Sequence, residues 1–239
     1  MRITSLLFLF VLPACDLLEA ATAEKPNTVQ QTAIGDIFGQ VATVAGVIDD
    51  PATTSNNDLN TAMDFTAYAR LVAPASGKPT SLRRAKPAPI SECVTVSGND
   101  RTFSDCDLVL DDGRQCLVNG MLTRVPGATG NSYQGGLTIG GPTNCPVGDL
   151  DLDVYLEGPT DSPTLASGSV SFAYNDPSGD NFSGTAVVDS IAITGHCQVA
   201  SAGELQVTVT GTHNGTAINN QSITLSFHDE PGCGLIYIE

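Results

Sequence analysis

The sequence predicts a mainly β protein, either an antiparallel β-sandwich or a partly closed barrel of about ten strands, preceded by a short helical segment. From Glu92 onward apolar and polar residues alternate, as they do between Asp149 and Leu156, and this is the period of half-buried strands. Clusters of Gly, Asn, Asp and Pro separate the alternating runs, as expected of turns. The expected strands lie near 93–97, 102–110, 115–125, 133–140, 149–157, 164–175, 182–194, 203–212, 221–228 and 234–238.

Two helices are expected before the strands. From Thr28 to Ile48 apolar residues recur with a helical period, and Asn27 is followed three residues later by a glutamine, as in a capping box. A second helix is expected from Asn57 to Val72, with a capping pattern formed by Ser55 and Asp58.

The chain therefore divides into five parts. They are a signal peptide at 1–14, a lipidated cysteine and tether at 15–27, the helical segment at 28–72, a Pro-rich basic linker at 73–91 and a disulfide-stapled β-domain at 92–239.

The amino terminus has the order of an export signal: Arg2, an apolar run from Leu6 to Leu12, and then Leu12-Pro13-Ala14-Cys15. This tetrapeptide resembles the lipobox of bacterial lipoproteins. The resemblance implies cleavage before Cys15 and a lipid on its thiol, which would anchor the chain to a membrane of the cell envelope.

Two questions stay open at this point: where the signal peptide is cleaved, and which membrane holds the protein. An ordinary signal peptide cut near Ala23 is the alternative to the lipobox. Asp16 resembles the inner-membrane retention signal of enteric lipoproteins, a rule that other lineages do not follow, so the inner and the outer membrane both remain open.

The chain is strongly acidic, with 26 Asp and Glu against 10 Lys and Arg and a formal net charge of −16. From Val125 to Glu239 there is no Lys or Arg. Such a charge repels phosphate backbones, so nucleic-acid binding is excluded as a function. A partner protein of the envelope is expected instead, and the oligomeric state stays open.

Seven cysteines are an odd number, and cleavage at the signal removes Cys15 from the pairing. Because no C-x-x-C spacing occurs, three disulfides are expected rather than a zinc or redox site. The six remaining residues are Cys93, Cys106, Cys116, Cys145, Cys197 and Cys233.

The expected strand register limits which cysteines can form disulfides with each other. A two-residue turn at Asp112-Gly113 would put Cys106 and Cys116 on opposite faces, which disfavours a bridge between them. Near the carboxyl end, Val209 is expected opposite Ile223. This register would bring Cys197 close to Cys233, the best single pair.

One candidate metal site stands out. Asp149, Asp151 and Asp153 alternate along one strand, so their carboxylates share a face, and oxygen ligands of this kind suit Ca²⁺. A solvated polar face is the alternative, and no other cofactor is expected. The three histidines, His196, His213 and His228, are expected at the surface, with His228 across from Glu204.

The expected function is that of a non-catalytic envelope lipoprotein with a structural or partner-binding β-domain. The alternative is a carrier or receptor for a lipid or another apolar ligand. Helices followed by a wide sheet resemble, in element order only, the half-barrels of outer-membrane lipoprotein receptors. Many Ser, Thr and Gly in the strands argue for a thinner core than a carrier needs. An enzyme ranks third, because no catalytic motif is found.

Overall fold

The computed structural model describes residues 24–74, 90–110, 113–142, 144–158, 164–194, 199–228 and 235–238. Three helices come first: α1 (Thr28–Asp49), α2 (Asn56–Ala62) and α3 (Thr66–Val72). Ten strands follow, namely β1 (Val94–Ser97), β2 (Asp100–Val109), β3 (Gln115–Pro126), β4 (Gly130–Gly140), β5 (Val147–Glu157), β6 (Leu165–Asn175), β7 (Asn181–Thr194), β8 (Val199–His213), β9 (Thr216–His228) and β10 (Leu235–Ile238).

The ten strands form one antiparallel sheet in which each strand pairs with its neighbours in sequence. The predicted class and strand number are confirmed, and the strands lie in a single open sheet rather than in two stacked sheets. Among the described residues β1 pairs only with β2, whereas β10 pairs with β9 and also meets the backbone of Glu24, where the Ile238 N–H donates to the Glu24 carbonyl at 2.8 Å.

Both predicted capping patterns are confirmed, and the second helix begins at Asn56, one residue before the predicted start. Asn27 accepts hydrogen bonds from the N–H groups of Val29 and Gln30, and the Gln30 side chain accepts from the Asn27 N–H in return. Asp58 accepts from the Ser55 N–H at 2.8 Å.

The single second helix predicted from Asn57 to Val72 is wrong in one respect, because α2 and α3 are separate helices. Asp64 lies between them and accepts from the Thr66 N–H at 3.0 Å. A carboxylate in this position satisfies an N–H at the start of a new helix and so favours a break in the chain's helical path.

The sheet has an apolar inner face and a polar outer face. On β5, Leu150, Leu152, Val154 and Leu156 are buried, and the aspartates between them are exposed. The Ser and Thr residues of the central strands, such as Thr138, Ser169, Ser171, Thr185 and Ser222, lie exposed on the outer face. These small residues therefore do not make the core thinner. The expected thin core was the argument against a carrier.

The helices cover the inner face and contact strands from both halves of the sheet. Asn60 of α2 exchanges hydrogen bonds with the backbone of Val109 on β2. Phe38 of α1 packs edge-on against Phe227 on β9, with ring centroids 5.7 Å apart. Because the helices touch strands near both edges, the sheet curves around them.

Glycines in neighbouring strands permit this curvature. Gly120 on β3 and Gly135 on β4 have φ values of 139° and 122°. A Cβ on Gly120 would collide with the carbonyl oxygen of Gly136, and one on Gly135 with that of Met121. Only glycine tolerates both the dihedral and the close approach, which allows a sharp local bend.

Two disulfides are present among the described residues, Cys93–Cys106 and Cys116–Cys145. The expectation that Cys106 does not bond to Cys116 is confirmed, but its reason is wrong. The hairpin turn holds one more residue than predicted, since the Leu110 N–H bonds to the Arg114 carbonyl. This shift of one residue puts Cys106 and Cys116 on the same inner face, both fully buried.

The predicted register between β8 and β9 is also wrong. Asn214 and Gly215 form a two-residue turn with positive φ at both positions, as in type I′ hairpins. A register shift between Val209 and Gly211 then adds one residue, so that Val207, not Val209, faces Ile223. Bulges of this kind cannot be located from the alternation alone.

The structure also departs from the register expected near the Cys197–Cys233 pair, in which Leu235 would lie opposite Cys197. Leu235 on β10 pairs with His228 on β9, so it does not lie opposite the start of β8. Glu204 faces Ser226 instead of His228. Cys197 and Cys233 lie outside the described residues, and so do Cys15, His196 and nearly all of the 73–91 linker.

Candidate functional site

A crevice lies between α1 and the inner face of β4, β5 and β6. Its walls are almost entirely apolar: α1 contributes Val41, Val44 and Ala45, and the strands contribute Tyr133, Leu150, Leu152, Val154, Leu156 and Val170. Its free volume is about 10 Å³, which is close to the space that one water molecule occupies. The helices therefore fill most of the interior that the curved sheet encloses.

Two polar side chains, Gln40 of α1 and Tyr68 of α3, also line the crevice. Both are buried, Gln40 with 2% and Tyr68 with 0% of its surface exposed. The amide nitrogen of Gln40 donates to the Ala62 carbonyl at 2.7 Å. Neither the Gln40 Oε1 nor the Tyr68 hydroxyl oxygen has a hydrogen-bond partner among the described residues.

The surroundings of Tyr68 keep its hydroxyl protonated. Burial raises the pKa of Tyr68 well above its usual value, and the negative charge of Asp64 raises it further. The ring stacks on Phe172 of β6 with centroids 4.3 Å apart. Tyr68 therefore offers a neutral O–H donor at a fixed position inside an apolar site.

Polar contacts hold α1 in place above the crevice. Side chains of α1 bind the carboxyl ends of the other helices, since Gln30 donates to the Leu71 carbonyl at 3.2 Å and Gln40 to Ala62. At the carboxyl end of α1, buried Arg101 of β2 donates to the Ile48 carbonyl at 2.7 Å, which favours this helix end electrostatically.

Tyr133 of β4 gives a second tie to the same end of the helix, because its hydroxyl donates to Asp49 at 3.0 Å. The carboxyl end of α1 is thus bound to the sheet by polar groups. The described contact of its amino-terminal half with the sheet is apolar, between Phe38 and Phe227.

A second polar group, the turn cluster, consists of Arg114, Tyr174, Asp176, Asp180 and His213 at one end of the sheet. Arg114 pairs with Asp176 at 2.8 Å, and the Tyr174 hydroxyl donates to the same carboxylate at 3.0 Å. Burial alone would raise the pKa of Asp176, but hydrogen bonds from Arg114, Ser178 and Tyr174 outweigh it and lower the pKa to about 2.

His213 in this cluster is not the surface residue that was predicted. Only 3% of it is exposed, and its Nδ1 lies 3.0 Å from Asp180. The Asn214 N–H donates to the same carboxylate at 2.8 Å. The histidine closes the turn between β8 and β9 onto the turn between β6 and β7, which is a structural role. His228 is exposed, as predicted.

The aspartate row lies where it was predicted, on the outer face of β5. Asp149, Asp151 and Asp153 are all exposed, and Gln134 donates to Asp153 at 3.0 Å. In the described part of the chain, no three His, Cys, Asp or Glu side chains come close enough together to hold a metal ion. The row is an exposed acidic surface.

Comparison of the chain with protein-family models, with curated protein sequences and with solved structures gives no match. Within the described residues, none of the helices has both the length and the apolar character needed to cross a membrane.

The crevice and its two polar side chains were not among the expected sites. A signal for Gln40 was present, since it lies three residues after Ile37 and four before Val44, on the apolar stripe of α1. A glutamine on such a stripe is expected to be buried with the apolar side chains around it, and a buried polar side chain can indicate a functional site.

Proposed function

We propose that this chain is a non-catalytic binding protein of the bacterial cell envelope, anchored by a lipid on Cys15, whose crevice takes an apolar ligand. The crevice between α1 and the central strands carries this proposal. Its walls combine aliphatic side chains with a few polar groups, which is the usual composition of a small-molecule site. The two disulfides fit an exported protein.

Entry of a ligand larger than water requires α1 to move away from the sheet. The described polar ties of α1 to the sheet lie at its carboxyl end, at Ile48 and Asp49. Movement of its amino-terminal half would break the bonds of that half to α3, namely Gln30 to the Leu71 carbonyl and Asp36 to Arg70. Apolar contacts such as Phe38 with Phe227 can be exchanged for contacts with an alkyl chain at little cost.

Binding of the fluorescent probe N-phenyl-1-naphthylamine tests the proposal, because its emission rises in an apolar site. The full chain carrying Cys15→Ser, which removes the acceptor of the proposed lipid, is titrated with the probe. Val44→Ile adds one methylene to the crevice wall and is expected to weaken binding about tenfold, because the added methylene occupies space that the probe needs once α1 has moved.

Val47→Ile is the matched control. Val47 also lies on α1 and is buried to a similar degree, with 1% of its surface exposed against 4% for Val44, but it does not line the crevice. We expect probe binding close to that of the parent chain. Equal weakening by both variants, or no rise in emission with the parent chain, would contradict the proposal.

A second candidate function is the binding of a cationic partner by the outer face. The arginines of the described sheet are engaged elsewhere: Arg101 binds the end of α1, Arg114 pairs with Asp176, and Arg124 lies 3.5 Å from Asp49. The aspartate row of β5 therefore gives its surroundings a negative potential.

Isothermal titration with deca-lysine at low salt tests this second candidate. Binding that weakens in the Asp149→Asn, Asp151→Asn, Asp153→Asn variant would support it. The same affinity for the variant and the parent chain would refute a role for the row.

A further inference from the structure

Two Asn-Gly pairs occur in the chain, Asn119-Gly120 and Asn214-Gly215. In this dipeptide the backbone nitrogen of glycine can attack the side-chain carbon Cγ of asparagine, because glycine has no side chain to hinder the approach. The new N–C bond closes a succinimide ring and the Cγ–Nδ2 bond breaks. The Nδ2 group takes up the proton that the glycine nitrogen loses and leaves as ammonia. Water then opens the ring to aspartate or isoaspartate.

The first pair, Asn119-Gly120, is held inside the sheet. It lies on β3, where Gly120 pairs with Phe103 of β2 and with Leu137 of β4. The Asn119 side chain is also engaged, since its Oδ1 accepts from the Asp105 N–H at 2.8 Å. Ring closure at this pair requires β3 to separate locally from both neighbouring strands, which makes it slow.

The second pair, Asn214-Gly215, lies at the tip of the hairpin between β8 and β9, and both of its residues are exposed. The last ladder pair of the hairpin is His213 with Thr216. The Gly215 N–H is outside this ladder and has no hydrogen-bond partner among the described residues. A Cβ built on Gly215 would meet no atom within 4 Å. The attacking nitrogen is therefore unpaired, in open space and accessible to water.

The side chain of Asn214 also contacts the turn cluster. Its Nδ2 lies 3.0 Å from Nε2 of His213, and Nδ1 of His213 lies 3.0 Å from Asp180. Because an amide nitrogen only donates, Nε2 accepts from Asn214, and the ring proton is on Nδ1, which donates to Asp180. The other charged groups of the cluster, Arg114 and Asp176, pair with each other. His213 is thus a neutral imidazole that bridges the two turns.

We propose that Asn214 is a site of spontaneous deamidation, and that the carboxylate formed there makes His213 take up a proton. A carboxylate has no hydrogen to donate, so it would face the lone pair of Nε2 as a second acceptor. Protonation of Nε2 removes this conflict. Burial disfavours a charged ring, but the ring then lies between the new carboxylate and that of Asp180, and both favour the imidazolium. The modification therefore replaces a neutral bridge by an ion pair.

Peptide mass spectrometry of the folded full chain carrying Cys15→Ser tests the site. The protein is incubated at mildly alkaline pH in water labelled with heavy oxygen, so that only rings opened during the incubation give labelled products. Fragmentation of the proteolytic peptides then assigns each product to one asparagine. We expect deamidation at Asn214 to be at least tenfold faster than at Asn119, because only the second site needs the sheet to open.

The same chain, unfolded in urea with its disulfides reduced, is the control. Both pairs are then the same dipeptide without fixed structure, so we expect the rates at Asn119 and Asn214 to agree within about threefold. Equal rates at the two sites in the folded chain would refute the proposed site. The proposal also fails if Asn214 does not react in the folded chain while the unfolded chain does.

The Asn214→Asp variant supplies the aspartate product directly and tests the effect on His213. Nitrogen NMR at neutral pH distinguishes a protonated from an unprotonated Nε2. We expect Nε2 to be unprotonated in the parent chain and protonated in the variant. Asn220→Asp is the matched control, since Asn220 is an exposed asparagine of the same hairpin with a positive φ of 50°. It adds the same charge and is expected to leave Nε2 unprotonated.

The two experiments test the two parts separately. If Nε2 stays unprotonated in Asn214→Asp, or becomes protonated in Asn220→Asp as well, the proposed effect of the new carboxylate on His213 is wrong. The site of deamidation is decided by the mass spectrometry alone. Neither result depends on ligand binding in the crevice.

Discussion

The Tyr68→Phe variant is expected to be more stable than the parent chain in the absence of ligand. Tyr68 is fully buried, and its hydroxyl oxygen has no partner among the described residues. Leaving such a group unpaired costs about 1–3 kcal/mol. The variant removes the group and keeps the ring on Phe172, so the free energy of unfolding should rise by about 1 kcal/mol or more.

The Tyr133→Phe variant is the control, and its free energy of unfolding is expected to change in the opposite direction. Tyr133 lines the same crevice and is 1% exposed, but its hydroxyl donates to Asp49 at 3.0 Å. Hydrogen bonds to charged groups contribute about 1.5–3 kcal/mol. Loss of this bond should therefore lower the free energy of unfolding by about 2 kcal/mol, with the same change of side chain.

Urea unfolding at pH 7, followed by circular dichroism, measures both variants. Equal slopes against urea would show that the comparison concerns stability and not the extent of unfolding. At this chain length, 1 kcal/mol corresponds to a melting-temperature shift of about 2–4 °C. If both variants lose stability to a similar extent, the Tyr68 hydroxyl has a stabilising partner, which would contradict the expected gain in stability.

Three further predictions concern the fold. Gly135→Ala should cost about 3 kcal/mol or more in urea unfolding, because its φ is 122° and its Cβ would meet backbone, whereas Gly140→Ala on the same strand meets nothing within 4 Å and should be tolerated. Asp176→Asn should lower stability by about 2 kcal/mol at pH 7. Because the folded pKa of about 2 lies below the usual 3.8, this difference should disappear as the pH falls from about 4 to about 2, and a pH-independent difference would contradict it. Replacing Cys93 and Cys106 by alanine should cost about 3 kcal/mol, and a peptide map that pairs either with another cysteine would refute the assignment.

Much of the fold could be predicted from the sequence because burial leaves a direct trace in the alternation of residues. On β5 the alternation of aspartate and leucine gives the strand, its length and its two faces. The capping boxes at Asn27 and Ser55 likewise depend only on residues three positions apart.

Register could not be predicted, because one inserted residue changes it without changing the alternation on either side. The β2–β3 turn and the irregularity between Val209 and Gly211 both have this effect. His213 was misjudged for a related reason. Its position in a turn indicated exposure, but the neighbouring turn with Asp180 folds over it.

The crevice depends on contacts between distant parts of the chain. Gln40 and Tyr68 look like residues of two amphipathic helices, and only the packing of α1, α3 and β6 shows that both line the same crevice. The sequence could indicate that Gln40 is buried, but not which of its atoms would lack a partner.

Native mass spectrometry of the full chain purified from membranes tests directly whether the crevice holds a ligand. We expect a bound apolar molecule in addition to the lipid expected on Cys15, and less of that molecule in the Val44→Ile variant. Protein that carries no such molecule, or that retains the same amount in Val44→Ile, would contradict ligand binding in the crevice.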